Sequence, residues 1–263
     1  ICLAQLLQET DETDEAMSFV EQVLETQPAD TTALQIRAAL LAHSNRREEA
    51  IADYTQLISA GAALKTETVE QSVLKRGRLH LAGNDWSEAI IDFTKYLADH
   101  PDHAETLTLR ATAFLAQNEP GKAVTDLTLA LLTQPDSVEL YTLRAVAFDQ
   151  FHEPTAALAD LQKAASLSPT DSVLMQTVAE RLFQDQQYAK TAKLLDTLAE
   201  VHGDQLTNAQ RLLRGRARLA DGNLDGAYDD ARWLSEISPA PSDSLSSDTV
   251  SSTEVLLLQA HVA

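Results

Sequence analysis

Residues 104–137 read AETLTLRATAFLAQNEPGKAVTDLTLALLTQPDS, and this stretch decides the fold. Apolar residues from Leu107 to Ala116 follow helical spacing until Asn118-Glu119-Pro120-Gly121 interrupts the pattern. A second amphipathic pattern runs from Lys122 to Thr133 and stops before Pro135. The stretch therefore predicts two helices joined by a tight turn.

The same pattern recurs along the chain, with steps of 34, 39, 34, 34, 34 and 36 residues. We take as the reference position of each repeat the alanine, or in repeat six the threonine, at which these steps are counted. A small residue stands 12 positions before each reference position, and apolar residues mostly stand four and seven positions after the reference position. A proline follows by 12 positions in five repeats. Two helices can approach closely only where a side chain is this small, so each repeat predicts a packed helix pair. The reference positions of repeats one to seven are Ala16, Ala50, Ala89, Ala123, Ala157, Thr191 and Ala227.

The period, the small residue, the alanine with its apolar partner and the closing proline resemble the tetratricopeptide repeat family. The resemblance covers residues 1 to about 241 and implies an all-α, right-handed α-solenoid of antiparallel helix pairs. A Ser/Asp-rich linker is expected at 242–252 and the first helix of a truncated further repeat at 253–263. The seven expected pairs span 1–30, 31–64, 70–103, 104–137, 138–171, 172–205 and 208–241.

Two departures from the pattern stand out. The step of 39 places five extra residues around 61–69, which predicts a longer loop or a longer helix there. Thr191 and Gly203 replace the usual alanine and proline, so the sixth repeat matches the pattern least well.

The net charge of −20 argues against nucleic acid as a direct partner, because such a surface repels phosphate backbones. It fits either a general solubility role or a basic partner. No apolar run approaches about 18 residues, so no membrane insertion is expected. The chain starts at Ile1 and is expected to be a fragment, which leaves both a cytoplasmic and a bacterial periplasmic location open.

The sequence contains no complete catalytic or metal-binding pattern. His100 and His103 flank Pro101 in a turn between repeats, where a solvated turn is the favoured interpretation. Asp221 to Gly226 imitates the start of a calcium loop, but Arg232 stands where the loop needs a glutamate. No nucleophile, base and orienting group occur together. We therefore expect no enzymatic activity, no metal and no cofactor.

The resemblance implies that the first helix of each repeat lines a concave groove that binds a partner. Leu81, Leu115 and Phe183 would be apolar residues on this wall, and Arg78 would be a positive island. The alternative is that neighbouring repeats cover these residues. The predicted partner-binding residues are Arg78, Leu81, Thr112, Leu115, Val146, Asp149, Glu180, Phe183 and Arg216.

A charge pattern internal to this chain predicts a contact within the helix pair. Five repeats carry an arginine 13 positions before the reference position and an aspartate three positions after it. The first and sixth repeats lack both charges together and carry apolar residues instead, among them Val178 and Leu194. We therefore expect a partly buried structural ion pair in each of the five. The pairs are Arg37 with Asp53, Arg76 with Asp92, Arg110 with Asp126, Arg144 with Asp160, and Arg214 with Asp230.

These features predict a protein–protein interaction scaffold that binds a peptide or protein in the concave groove, and a basic partner would fit the charge of the chain. Two alternatives remain open at this point. The chain could be the regulatory repeat region of a larger enzyme, or part of a bacterial envelope protein for assembly or export.

Overall fold

The computed structural model describes residues 13–61 and 65–237, and these residues form thirteen α-helices and no strand. The all-α prediction is confirmed. The helices are α1 (Thr13–Thr26), α2 (Thr31–His43), α3 (Arg47–Ser59), α4 (Thr66–Ala82), α5 (Trp86–Asp99), α6 (Ala104–Ala116), α7 (Pro120–Thr133), α8 (Val138–Gln150), α9 (Pro154–Leu167), α10 (Ser172–Gln184), α11 (Tyr188–Val201), α12 (Asn208–Ala220) and α13 (Leu224–Ile237).

The chain divides into two compact units, Ile1–Pro135 and Asp136–Ala263. Helices α1 to α7 belong to the N-terminal unit, and α8 to α13 belong to the C-terminal unit. Within each unit, helices that follow one another through short turns pack as antiparallel pairs, which makes the unit an α-solenoid. The even-numbered helices are the first helices of the repeats, and the odd-numbered helices are the second helices.

Parts of the predicted organisation lie outside the described residues. These are the first helix of repeat one, the linker at 242–252 and the helix at 253–263. The extra residues of the 39-residue step partly lengthen a helix, because α4 has 17 residues where α2 and α6 have 13.

The turn inside each described repeat has one backbone geometry. In repeat six, Gln186 has φ 60°, its N–H donates to the Phe183 carbonyl at 3.0 Å, and the Gln187 N–H donates to the Leu182 carbonyl at 2.8 Å. These paired bonds satisfy carbonyls that the helix end leaves open, and they require a left-handed residue at this place. The equivalent residues are Asn45, Asn84, Asn118, His152 and Gly222.

The core of each helix pair is built around the reference position. All six reference alanines and Thr191 are fully buried. The Thr191 hydroxyl donates to the Gln187 carbonyl at 3.1 Å, so its one polar group is satisfied inside the helix. Repeat six therefore keeps the helix-pair core even though its sequence matches least well.

Candidate partner-binding face

Four of the predicted partner-binding residues lie on first helices of the N-terminal unit, and they differ in exposure and in their contacts. Arg78 is exposed, and its Nη2 donates to Glu105 Oε1 at 2.6 Å, which links α4 to α6. Thr112 is exposed, and its hydroxyl donates back to the helix. Leu115 is half-buried, and Leu81 is half-buried against the apolar cluster around Phe93.

A polar cavity of about 380 Å³ opens between α2 and α4. All of its lining residues come from these two first helices, so the space between successive first helices is accessible. The lining residues are Thr32, Gln35, Ile36, Ala39, Glu67, Thr68, Gln71 and Lys75.

In the C-terminal unit, Val146 of α8 is 47% exposed. Asp149 is engaged in an ion pair, because Arg181 Nη1 and Nη2 donate to its two carboxylate oxygens at 2.8 and 2.6 Å. This hydrogen bond raises the pKa of Arg181 above its ordinary value. The pair joins α8 to α10, the first helices of repeats five and six.

The three remaining predicted residues of this unit also differ in their surroundings. Glu180 is exposed and accepts a hydrogen bond from Gln176 Nε2 at 2.9 Å. Phe183 is half-buried, and its ring meets Tyr188 edge-on with centroids 5.2 Å apart. Arg216 is exposed on α12.

The three apolar residues expected on the groove wall, Leu81, Leu115 and Phe183, are each half-buried. Leu81 packs on the cluster around Phe93 and Phe183 packs on Tyr188, and partner binding by this wall stays a prediction. Val146 is the predicted apolar residue that remains largely exposed on a first helix.

A cavity of about 480 Å³ lies beside the Asp149–Arg181 pair. Its walls come from the end of α8, the start of α9 and the end of α10. It combines a charged pair with an apolar side, as ligand cavities generally do. The other lining residues are Pro154, Thr155, Leu158, Gln184 and Asp185.

An arginine–aspartate ion pair lies inside each of the five repeats that carry both charges. In repeat four, Arg110 Nε and Nη2 donate to Asp126 Oδ2 and Oδ1, both at 2.8 Å. The other four pairs have the same forked geometry, and every one of the five aspartates is buried. Their members are Arg37 and Asp53, Arg76 and Asp92, Arg144 and Asp160, and Arg214 and Asp230.

These arginines also reach the preceding repeat. Arg76 Nη1 donates to Thr55 Oγ1 at 2.9 Å, and Arg110 Nη1 donates to Thr94 Oγ1 at 3.1 Å. Each acceptor lies five positions after the reference position of the preceding repeat. Each of these arginines thus connects the two helices of its own repeat with the second helix of the preceding repeat. In the C-terminal unit, Arg214 Nη1 and Asp196 Oδ1 form the equivalent contact at 3.2 Å.

The hydrogen bond to the aspartate dominates the electrostatics of three pairs. It raises the pKa of Arg37, Arg76 and Arg144 above the ordinary value and outweighs the opposite effect of burial. For Arg214, burial acts most strongly and lowers the pKa. The bonds and charges of Asp230 and its neighbours overcome it, so this pKa is also raised. The arginines therefore stay charged, and their role in the described structure is to join helices.

Sequence reasoning missed two polar contacts. The Asp149–Arg181 pair had no signal, because neither charge recurs at its place in the other repeats. The contact to the preceding repeat did have one, since polar residues recur at that place in repeats two to six. They are Thr55, Thr94, Thr128, Gln162 and Asp196.

The two histidines of the inter-repeat turn take part in local hydrogen bonds. His100 Nε2 lies 3.0 Å from Glu70 Oε2, and His103 Nδ1 accepts from the Thr106 N–H at the start of α6. Within residues 13–61 and 65–237, no three side chains of His, Cys, Asp or Glu come together as a metal ion would require. None of the described helices combines the length and apolar character that a membrane crossing needs.

Comparison with known proteins gives a consistent result. The tetratricopeptide repeat family model matches residues 74–134 and 108–172. Comparison with curated proteins gives no match. Among solved structures, a tetratricopeptide repeat protein from Parabacteroides merdae has a TM-score of 0.60 at 16% identity, over 100% of this chain and 96% of that chain.

Two further structures show the same likeness. The C-terminal part of a TPR repeat-containing protein from Cytophaga hutchinsonii has a TM-score of 0.68 at 12% identity, over 91% of this chain and 95% of that chain. YrrB, a TPR protein with an unusual peptide-binding site, has a TM-score of 0.59 at 17% identity, over 66% of this chain and 87% of that chain. At these identities the likeness concerns the fold. Together with the sequence match at residues 74–134 and 108–172, it supports tetratricopeptide repeats that follow one another in tandem.

Proposed function

We propose that this chain is a protein–protein interaction scaffold that binds a peptide or an extended protein segment against its first helices. The observation that carries the proposal is the cavity between α2 and α4, which is lined by first-helix residues alone. Its volume of about 380 Å³ and the 480 Å³ beside Arg181 are of the size that binding cavities have, about 300–1,000 Å³.

The lining chemistry supports a peptide over a purely apolar ligand. Gln35, Gln71 and Lys75 can exchange hydrogen bonds with a peptide backbone, and Ile36 and Ala39 offer a small apolar floor. YrrB, which has a similar fold, is a peptide-binding TPR protein, and this likeness also supports the proposal.

The charge of the chain bears on the class of partner. A net charge of −20 favours association with a basic or neutral segment and disfavours a nucleic acid. We include a basic or neutral partner segment in the proposal.

The proposal can be tested with random peptides displayed on phage and selected on the whole chain. Gln71→Trp fills the α2–α4 cavity, and Val146→Ser removes the exposed apolar residue of α8. Leu132→Ser is the matched control, because Leu132 is 76% exposed but lies on the second helix α7. We expect one of the first two variants to weaken peptide binding about tenfold, and the control to leave it unchanged.

A selection that yields no peptide sensitive to either first-helix variant would contradict the proposed face. Acidic peptides whose binding is weakened by either first-helix variant would contradict the proposed charge of the partner. Circular dichroism of each variant checks that the helices remain.

A further inference from the structure

A separate surface feature lies between the second helices of repeats five and six. A cavity of about 270 Å³ opens between α9 and α11, with α10 as its floor. Val178 and Leu182 on the floor are buried, and Leu194 on the wall is half-buried. We call this cavity the α9–α11 notch, which is lined by Gln162, Val178, Leu182, Lys190, Lys193, Leu194 and Thr197.

The notch exists because repeat six lacks the arginine–aspartate pair. In repeat four, Arg110 crosses the equivalent space to reach Thr94 on the preceding second helix. Val178 occupies the arginine place in repeat six and is too short to cross. Gln162, at the place equivalent to Thr94, has no hydrogen-bond partner within the described part of the chain. In repeats three, four and seven an arginine crosses the equivalent space, whereas the shorter Val178 leaves it as the cavity described above.

The edge of the notch carries uncompensated positive charge. Lys190 and Lys193 are exposed, and neither forms an ion pair with any described residue. Lys190 donates to the neutral amide of Gln187 at 2.7 Å. The chain as a whole has a net charge of −20, so these two ammonium groups beside an apolar cavity differ from it in charge. They complement carboxylates on a partner.

We infer that the α9–α11 notch docks a partner protein segment that inserts one large apolar side chain and places carboxylates beside Lys190 and Lys193. The volume lies below the range of about 300–1,000 Å³ that small-molecule sites occupy, and it suits a single side-chain anchor. An apolar anchor in a pocket with a charged rim is the usual geometry of an interface hot spot. This site is independent of the first-helix face and has the opposite charge preference.

The decisive variant fills the notch with an arginine–aspartate pair of the kind that other repeats contain. Val178→Arg combined with Leu194→Asp rebuilds in repeat six the pair that Arg144 and Asp160 form in repeat five. The combination is expected to fold, because five repeats already contain it. Lys190→Glu combined with Lys193→Glu reverses the rim charge at two exposed positions and leaves the core untouched.

The probe is a library of random peptides displayed on phage and selected on the whole chain. We expect enriched peptides that contain a leucine or phenylalanine flanked by Asp or Glu. Their affinity should fall about tenfold or more for both double variants, measured by fluorescence anisotropy with the synthetic peptides. Val146→Ser should leave the affinity of these peptides unchanged, which separates the notch from the first-helix face.

Three outcomes would overturn the inference. The selection could yield no acidic-apolar peptides, the peptides could bind both double variants as well as the original chain, or their binding could depend on Val146. If the Val178→Arg, Leu194→Asp chain loses its helical circular dichroism signal, the lysine variant decides alone, and unchanged affinity for it overturns the inference.

Discussion

Gly77 of α4 faces Phe93 of α5 so closely that a Cβ on Gly77 would lie 2.8 Å from Phe93 Cε1. Phe93 is fully buried, so its ring cannot move into free space. Repeat four has Ala111 and Leu127 at the same two places. Between these two repeats, the smaller residue on the first helix accompanies the larger residue on the second helix.

Gly77→Ala should destabilise the chain by about 1–3 kcal/mol through overpacking, although alanine favours a helix by about 1 kcal/mol. In a Phe93→Leu background, the same substitution should be neutral or stabilising, because it recreates the Ala111 and Leu127 combination. Urea unfolding of the four chains measures both effects. Equal effects of Gly77→Ala in the two backgrounds would show that the ring is not the obstacle.

Arg110→Val should destabilise the chain by about 3–5 kcal/mol, because it leaves the buried Asp126 carboxylate without its partner. Adding Asp126→Leu should recover most of the loss, since repeat six folds with Val178 and Leu194 at these places. The measurement is a double-mutant cycle by chemical unfolding, with the two single variants as controls. A coupling energy near zero would contradict a stabilising pair.

Gln186→Gly should stabilise the chain by about 0.5–1 kcal/mol. Gln186 has φ 60°, where a side chain with a Cβ is strained and glycine is not. Gly222→Ala is the reverse control at the equivalent turn of repeat seven, with φ 84°, and should lower the melting temperature. Thermal melting followed by circular dichroism tests both. A lower melting temperature for Gln186→Gly would count against strain at this turn.

Burial raises the pKa of Tyr54 to about 12, with a smaller contribution from Asp53. The unfolded chain releases this proton near pH 10, so the folded state loses stability as the pH rises from about 10 to about 12. Tyr54→Phe should remove about 2–3 kcal/mol of this loss over that range.

The matched control for this measurement is Tyr228→Phe, because the Tyr228 side chain is 48% exposed. Unfolding free energies of the three chains are compared at several pH values from about 9 to about 12, which includes the expected titration range. An identical alkaline loss in the original chain and in Tyr54→Phe would show that this phenol does not contribute.

The features that recur in every repeat could be predicted from the sequence. The reference alanines and the positions of the helix turns each reflect one packing requirement that recurs in successive repeats. Their regular spacing is therefore visible in a single sequence. The helix pairs and the match to the tetratricopeptide repeat pattern were predicted in this way and are confirmed.

Contacts that occur once could not be predicted. Phe183 is half-buried because its ring packs on Tyr188, and only the three-dimensional arrangement brings the two rings together. The Asp149–Arg181 pair likewise joins charges that have no counterparts in other repeats. The partial burial of Leu81, Leu115 and Phe183 therefore could not be predicted from the sequence, and the candidate face stays a prediction.

The absent arginine in repeat six also affects how the C-terminal unit unfolds. In a linear array, stability is approximately a sum of repeat and interface contributions, and the segments with the weakest interfaces open first. Repeats five and six are tied by the Asp149–Arg181 pair, whose side chains are 33% and 35% exposed, whereas repeats six and seven share a link from the buried Arg214 to Asp196, which is 41% exposed. Native-state amide hydrogen exchange should therefore slow in α10 when Val178→Arg and Leu194→Asp restore the bridge, with α12 unchanged. Unaltered exchange in α10 would mean that these bridges do not govern cooperativity. We therefore expect Val178, which stands where other repeats have arginine, to mark the boundary between two segments of the C-terminal unit that unfold separately.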